Sequence, residues 1–323
     1  MAHYRIINTG GTIGMAATDQ GLAPQPGLLR EQLTGHPDLA GWREHDLSWD
    51  EWEPLIDSSD IRPGHWYRLR DDILASDADA FLIIHGTDTL AYTAAALSFL
   101  LAGSGKTVIL TGSMTPLSQP DNDGIPNLNT ALDALTAKRP EVCVAFSGRV
   151  LPASRITKAD TTADDAFLTP NWSESLWDQA PGAPETPLGK QWRPAAIGLQ
   201  ILFPGMPMDG LMSMVERNYR ALVLNTYGSG NLMNDDAMRR ILGRAHDQGI
   251  PVFVRSQCLH GEVHLGQYAA SSLLTEIGAV SCGGMPLEAV LTKLQVLCSE
   301  YDRADQIVEG FKRPWAREWQ SLA

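Results

Sequence analysis

The sequence predicts an α/β protein of two α/β domains, a larger N-terminal domain built on a parallel sheet and a smaller C-terminal domain. Apolar runs typical of buried strands alternate with helical segments, and the alternation restarts after a Pro-rich, polar stretch. The 323 residues, 44% of them hydrophobic, suffice for two cores. We place the N-terminal domain at 1–171, a linker at 172–195 and the C-terminal domain at 196–323.

The elements of the N-terminal domain follow from composition and from stop signals. One segment rich in Ala and Leu favours a helix, and Gly103 and Gly105 mark its end. Strands joined by helices run parallel, and ligands bind beyond the carboxyl ends of parallel strands. In order, we predict strands at 4–10, within 78–87, at 106–112 and at 141–148, with helices at 90–103 and 127–138.

The C-terminal domain repeats the same kind of alternation after the linker, which lacks periodicity. Its last predicted helix begins at Pro286, since proline is favoured in the first helical turn. In order, we predict strands at 196–203, 221–231 and 250–256, with helices at 235–249 and 286–301.

Charge and cysteine content narrow the class of protein. With 38 acidic and 25 basic residues the net charge is −13, and an acidic surface repels nucleic acid. The N-terminus resembles no signal peptide and no apolar run has spanning length, so we expect a cytoplasmic protein without membrane contact. Four cysteines without a CxxC pair are expected to be reduced thiols, mostly in the core: Cys143, Cys258, Cys282 and Cys298.

The segment "NTGGTIG" (8–14) follows the first predicted strand. A Walker-type phosphate loop needs Lys-Ser/Thr after its last glycine, whereas Met15 follows here, and the glycine spacing does not fit G-x-G-x-x-G. Two interpretations stay open: a Gly-rich turn, or a turn that exposes Thr12 for chemistry.

The segment "HGTDTLAYT" (85–93) follows the second predicted strand. Thr87, Asp88 or Thr89 would suit the N-cap of the next helix, but one cap does not need all three. At a helix start the dipole favours an ionised Asp88, which suits a ligand's ammonium, and backbone amides suit a developing oxyanion. We interpret His85 as a hydrogen-bonded core residue.

Two further segments offer partners for this chemistry. A threonine hydroxyl needs a base, and "SRITKADTT" (154–162) supplies Lys158, either as a solvated surface residue or coupled to Asp88. "DSSD" (57–60) supplies Ser58 and Ser59, either as a turn or as hydroxyls that bind a carboxylate.

Together these segments resemble the bacterial L-asparaginase family, most closely its type I, cytoplasmic branch. They occur in the family's order along nearly the whole chain. The segments at 9–15 and 83–101 look like the family's two signature motifs and together make the resemblance specific. The matching segments are "TGGTIGM" (9–15), "IIHGTDTLAYTAAALSFLL" (83–101), "DSSD" (57–60), "LTGSMTPL" (110–117), "RITKADTTADDAF" (155–167) and "LEAVLTKL" (287–294).

The resemblance implies hydrolysis of L-asparagine to L-aspartate and ammonia, without metal or cofactor, by a homodimer or homotetramer. It implies that Thr12 is the nucleophile and that Thr87, Asp88 and Lys158 form a second triad. The glycines around Thr12 are then interpreted as clearance for the substrate.

The resemblance also implies how the substrate is held. Asp88 binds the α-ammonium, and Ser58 and Ser59 bind the α-carboxylate. The Ser113 backbone carbonyl meets the leaving amide, and the Thr87 N–H is the candidate oxyanion donor.

Two positions depart from the family pattern. Leu22 stands where the family usually has a tyrosine close to the nucleophile, and Asn225 stands where some type I enzymes have an arginine for allosteric asparagine. A glutaminase-asparaginase, another amidohydrolase, and a weakly active amino-acid-binding pseudoenzyme therefore remain as alternatives.

Overall fold

The computed structural model describes residues 2–19, 21–185, 188–266 and 272–319. The chain divides into two compact units, Met1–Thr169 and Pro170–Ala323. In the described part of the predicted linker, the regular structure is one short 3-10 helix, Glu174–Asp178.

The strands of the first unit include four long apolar ones, three of them buried along their whole length. Such continuous apolar runs are typical of strands covered on both faces. In chain order the strands are β1 (His3–Asn8), β2 (Met15–Thr18), β3 (Gly21–Pro24), β4 (Asp46–Glu51), β5 (Ala80–Ile84), β6 (Thr107–Thr111), β7 (Val142–Phe146), β8 (Arg149–Pro152), β9 (Thr157–Lys158) and β10 (Phe167–Leu168).

One six-stranded sheet organises this unit, in the order β4-β1-β5-β6-β7-β8. The first five strands run parallel and β8 runs antiparallel to β7, which confirms the predicted parallel sheet and adds two strands, β4 and β8, that were not predicted. Two small antiparallel pairs, β2–β3 and β9–β10, lie outside this sheet.

Helices connect the parallel strands of the first unit. The Ala- and Leu-rich helix is buried at every residue except Tyr92, because it has no polar face to present to water. The helix between β4 and β5 was not predicted. In chain order the helices are α1 (Leu28–Gly35), α2 (Pro63–Leu74), α3 (Leu90–Leu100) and α4 (Gly124–Thr136).

The second unit has a four-stranded parallel sheet in the order β11-β12-β13-β14. Its strands are β11 (Ile197–Ile201), β12 (Ala221–Thr226), β13 (Val252–Ser256) and β14 (Val280–Ser281). Its helices are α5 (Asp209–Glu216), α6 (Asp236–Asp247), α7 (Ser272–Glu276), α8 (Leu287–Glu300) and α9 (Ala304–Lys312). The predicted smaller α/β unit is therefore confirmed, with β14, α5, α7 and α9 added.

Candidate active site

Three predicted motifs come together because β1, β5 and β6 are neighbours in the sheet and run parallel. Their carboxyl ends therefore meet at one edge. The Thr12 segment follows β1, the segment 85–89 follows β5, and the segment 112–117 follows β6. The site forms where ligands bind in such sheets.

Two glycines allow the loops at this edge to touch. Gly11 has a φ of +109°, and a Cβ there would lie 2.5 Å from the Gly86 nitrogen. A Cβ at Gly86 would lie 2.6 Å from Ser58 Oγ. The interpretation of these glycines as clearance for substrate is therefore wrong at Gly11, because the backbone of the next loop fills that space.

Thr12 is half-buried and begins a short 3-10 helix, Thr12–Gly14. No residue in the described ranges hydrogen-bonds the Thr12 hydroxyl. The hairpin of β2 and β3 follows directly, and it carries Leu22 opposite Ala17 with 47% of the leucine exposed. The first motif thus presents a hydroxyl beside a segment whose Leu22 offers no base.

Lys158 joins two polar residues of the second motif, the segment 85–89 after β5. Its Nζ donates to Thr87 Oγ1 at 2.9 Å and to Asp88 Oδ1 at 2.6 Å. The lysine side chain is 17% exposed and the aspartate side chain 68% exposed, so most of the lysine is covered while the aspartate faces water. Lys158 is therefore not a solvated surface lysine, and the structure places all three triad residues within hydrogen-bonding distance.

The second motif does not cap the following helix with its side chains. Thr89 occupies the N-cap position of α3 without a side-chain capping bond. Its hydroxyl instead donates to the Ser58 carbonyl oxygen at 2.6 Å. The polar groups that a simple helix cap would have used are therefore committed to Lys158 and to the neighbouring loop.

Ser58 and Ser59 lie in a tight turn, the 3-10 helix Ser58–Asp60. The Asp57 carboxylate accepts hydrogen bonds from the Ser59 N–H and Oγ, both at 2.8 Å, and these bonds lower the pKa of Asp57. Ser58 is buried beside Gly86, whereas Ser59 is exposed. The turn interpretation is correct, and it places the Ser58 hydroxyl next to the second motif.

His85 is a buried core residue, as its sequence context predicts. The Gly86 carbonyl only accepts, so His85 Nδ1–H donates to it at 2.7 Å and His85 Nε2 of the neutral ring accepts from the Thr93 hydroxyl at 2.9 Å. Thr93 Oγ1 in turn accepts from the Trp66 Nε1–H at 3.1 Å. Burial lowers the pKa of His85 to about 4, which keeps the ring neutral at pH 7. These hydrogen bonds fix the position of the second motif from its buried side.

Ser113 follows Gly112 at the end of β6 and is buried. Its hydroxyl donates to the Thr115 carbonyl oxygen at 2.6 Å, so the side chain is used within its own loop. The Asp123 carboxylate accepts hydrogen bonds from the N–H groups of Met114 and Thr115. Sequence reasoning missed Asp123, whose signal was an acidic residue directly before the glycine that opens a helix.

The cysteines do not offer an alternative nucleophile in the core. All four are free, and Cys143, Cys282 and Cys298 are buried while Cys258 is exposed. Burial raises the pKa of Cys282 and raises that of Cys298 to about 11, which disfavours their thiolates. Within the described residues, no group of three or more His, Cys, Asp or Glu is arranged to hold a metal ion.

Asn225 lies in β12 of the second unit and is buried. Its side-chain oxygen accepts a hydrogen bond from Arg255 Nη1 at 3.0 Å, and the same guanidinium donates to the Met285 carbonyl oxygen through Nε at 3.2 Å. Asn225 thus serves a local network. None of the described helices is both long and apolar enough to cross a membrane.

The fold and site define a two-domain α/β protein whose first domain presents threonines, an aspartate and a lysine at the carboxyl edge of a parallel sheet. The family model "Asparaginase, N-terminal" matches residues 4–176, and "Glutaminase/Asparaginase C-terminal domain" matches residues 197–311. The chain belongs to the asparaginase family.

Relatives match along most of the chain. It is 38% identical over 309 residues to L-asparaginase 1 of Escherichia coli K12, covering 91% of both chains. Among solved structures it is similar to L-asparaginase I from Vibrio cholerae, with a TM-score of 0.85, 31% identity and 99% coverage of both chains. The thermostable L-asparaginase from Thermococcus kodakarensis matches with a TM-score of 0.84, 26% identity and 99% coverage of both chains.

Proposed function

We propose that this protein hydrolyses L-asparagine to L-aspartate and ammonia, with Thr12 as the nucleophile. The observation that carries the proposal is the bridge from Lys158 Nζ to Thr87 Oγ1 and Asp88 Oδ1, at 2.9 and 2.6 Å. A site that only capped a helix would not need an ammonium bonded to both a hydroxyl and a carboxylate.

The first half of the reaction forms an ester and releases ammonia. Thr12 Oγ1 bonds to the side-chain carbonyl carbon of asparagine, the C–N bond breaks, and the hydroxyl proton leaves on the ammonia. The Thr87 N–H stabilises the oxyanion that develops on the carbonyl oxygen. That N–H forms no hydrogen bond with the described part of the chain, although Thr87 is buried.

The second half returns the enzyme to its starting state. Water adds to the ester carbon, the bond to Thr12 breaks, and aspartate leaves while Thr12 recovers its proton. Lys158 holds the Thr87 hydroxyl through a charge-assisted hydrogen bond, which orients that hydroxyl as a proton relay for the attacking water.

Charge complementarity fits a free amino acid. The exposed face of the Asp88 carboxylate binds the α-ammonium of the substrate. The hydroxyls of Ser58 and Ser59 donate to its α-carboxylate, the Ser59 hydroxyl after turning from Asp57 to the substrate. Lys158 offsets the charge of Asp88 when the site is empty. The Ser113 carbonyl accepts from the amide that leaves.

Ammonia release by the purified protein tests this proposal and the neighbouring alternatives together. L-asparagine, L-glutamine and D-asparagine are compared at equal concentration. We expect turnover of L-asparagine; a faster rate with L-glutamine would make the protein a glutaminase-asparaginase. No ammonia from any of the three would refute the amidohydrolase proposal.

A second candidate is an amino-acid-binding protein with weak or no turnover. Two observations favour it: no described residue hydrogen-bonds the Thr12 hydroxyl, and Leu22 has no hydroxyl to offer. Calorimetric titration with L-asparagine separates the two candidates, since a binder gives saturable heat without ammonia.

We propose that the protein forms a homodimer or homotetramer and lies in the cytoplasm. Both proposals come from the resemblance to the type I branch. Light scattering on the eluted protein measures the assembly, and a monomeric mass would contradict it. Fractionation of source cells tests the location.

A further inference from the structure

We propose that Asp123 is a positioning residue that aims the Ser113 backbone carbonyl at the leaving amide of the substrate. This inference rests on the proposed function and extends it to a residue without contact to the reacting atoms. It depends on which groups the Asp123 side chain binds and on how those groups are joined to Ser113.

The Asp123 carboxylate is saturated by donors of one loop and one helix. Oδ1 accepts from the Met114 N–H at 3.0 Å and the Thr115 N–H at 2.9 Å. Oδ2 accepts from the Met114 N–H at 2.9 Å and from Asn127 Nδ2 at 3.1 Å. The residue is buried, so each of these bonds acts away from bulk water.

Asp123 does not do what its position suggests. It is the N-cap residue of α4, where an aspartate usually accepts from the N–H groups of its own helix, yet it makes no capping bond. Asn122 accepts from the Ile125 N–H instead, at 3.1 Å. Asn122 therefore caps the start of α4, and the Asp123 carboxylate binds the loop after β6 instead.

The hydrogen bonds from the Met114 N–H to Asp123 also fix the orientation of the Ser113 carbonyl. The Ser113 carbonyl and the Met114 N–H belong to one planar, trans peptide group, in which the two bonds point in opposite directions. Because the Met114 N–H is held towards Asp123, the Ser113 carbonyl is held away from it. That carbonyl accepts no hydrogen bond from any part of the chain that the structure describes.

Asn127 reinforces the same loop. Its Nδ2 donates both to Asp123 and to the Gly112 carbonyl at 3.0 Å, and its Oδ1 accepts from the Ser147 N–H at 2.7 Å. Gly112 in turn lies against the second motif, since a Cβ there would be 2.3 Å from the His85 oxygen. The loop that carries the Ser113 carbonyl is thus held against the second motif at Gly112 by the side chains of Asp123 and Asn127.

The test uses two substrates that differ only in the leaving group. L-asparagine releases its amide nitrogen as ammonia, and the N–H groups of that amide donate to the Ser113 carbonyl. The β-methyl ester of L-aspartate releases methanol and has no hydrogen on its leaving oxygen. We expect Asp123→Asn to lower kcat for L-asparagine by about tenfold or more, since small misplacements in a site cost this much. For the ester we expect a change below about twofold, with KM for both substrates little altered.

The ratio of the two rates is measured on one sample, so partial loss of folded protein cancels. Asp133→Asn, on the exposed side of the same helix, is the matched control and should leave both rates unchanged. If Asp123→Asn does not fold, Asp123→Ser keeps a single acceptor and should give the same amide-specific loss.

The outcomes separate the inference from the function on which it rests. An equal loss on amide and ester, or no loss on either, would overturn the role of Asp123 while leaving the hydrolase intact. Failure of the unmodified protein on both substrates would instead remove the proposed function.

Discussion

Two lysine–carboxylate pairs lie in the two units of this protein, and they differ in nearly everything except their chemistry. Lys158 and Asp88 are 2.6 Å apart, with side chains 17% and 68% exposed. Lys293 and Glu318 are 2.5 Å apart, and both are fully buried. The first pair faces the candidate site, and the second joins α8 to the chain after α9.

Hydrogen bonding explains why one pair is available to a ligand and the other is not. Lys293 Nζ also donates to the carbonyls of Phe311 and Arg313, at 2.9 and 2.6 Å, and Glu318 accepts from the Trp315 and Ala316 N–H groups at 2.8 and 2.7 Å. A buried pair is tolerated only when its remaining donors and acceptors are satisfied in this way. The exposed carboxylate of Asp88 keeps acceptor capacity, which is what binding an ammonium requires.

Of the two pairs, the exposed one should have the larger effect on activity when its ammonium is removed. Lys158→Met keeps the length of the side chain but loses the hydrogen bonds to Thr87 and Asp88. We expect kcat for ammonia release to fall by about 10³-fold. The unfolding free energy should change by less than about 1 kcal/mol, because Asp88 is mostly exposed. A variant with half the original activity would contradict a catalytic role.

Removing the ammonium of the buried pair should act on stability instead. Lys293→Met leaves the Glu318 carboxylate buried without its partner, and we expect the unfolding free energy to fall by about 3–5 kcal/mol in denaturant titrations. Activity per folded molecule should persist. The double variant Lys293→Met with Glu318→Gln is the control and should recover part of the loss. Unchanged stability of the single variant would break the comparison.

The first unit also contains a buried titratable residue, His85, that should act on stability rather than on activity. Its pKa is about 4 in the folded protein, against an ordinary value of 6.5, because burial disfavours the charged ring. The unfolded chain therefore takes up a proton first as the pH falls, so stability is full above pH 6.5 and decreases towards pH 4. His85 should contribute a loss of about 3 kcal/mol by pH 4.

The contribution of His85 is isolated by difference. The unfolding free energies of the original protein and of His85→Asn are measured by urea titration at pH 7 and pH 4. The variant should lose less stability on acidification, because it lacks the shifted histidine. All other titratable groups contribute equally in the two proteins and cancel in the difference. An identical loss in the two proteins would exclude a buried, neutral His85.

The smallest expected effect concerns Leu22, which stands where the family usually has a tyrosine close to the nucleophile. Leu22→Tyr restores that hydroxyl at an exposed position, so the fold should be unaffected. We expect kcat to rise, by about tenfold, since a positioned proton acceptor accelerates proton transfer. Leu22→Phe adds the ring without the hydroxyl and should stay at the original rate. Equal rates for the two variants would show that the hydroxyl is not limiting.

The sequence predicted what local patterns encode. Continuous apolar runs predicted β1, β5, β6 and β7, and the parallel pairing of β5, β6 and β7 follows from the helices predicted between them. The strand β4 was not predicted, because its sequence DLSWDE is polar and half-buried and resembles a loop. Its pairing with β1 is a tertiary contact that no local signal carries.

The candidate site could be predicted where the side chains of a motif by themselves indicate the chemistry. The resemblance named Thr12, Thr87, Asp88 and Lys158 as a group, and the structure brings the last three together. Asp123 was not predictable, because an aspartate before a helix normally caps it, and only the three-dimensional structure reveals a carboxylate turned to another loop.

The central claim is that Thr12 carries out amide hydrolysis at this site, and ammonia release from L-asparagine by matched Thr12 variants tests it most directly. Thr12→Ala should release no ammonia while keeping the original unfolding midpoint, and Thr12→Ser, which keeps a hydroxyl, should retain measurable turnover. Full activity of Thr12→Ala would contradict the account and move the nucleophile to another residue, with Thr87 the first to examine.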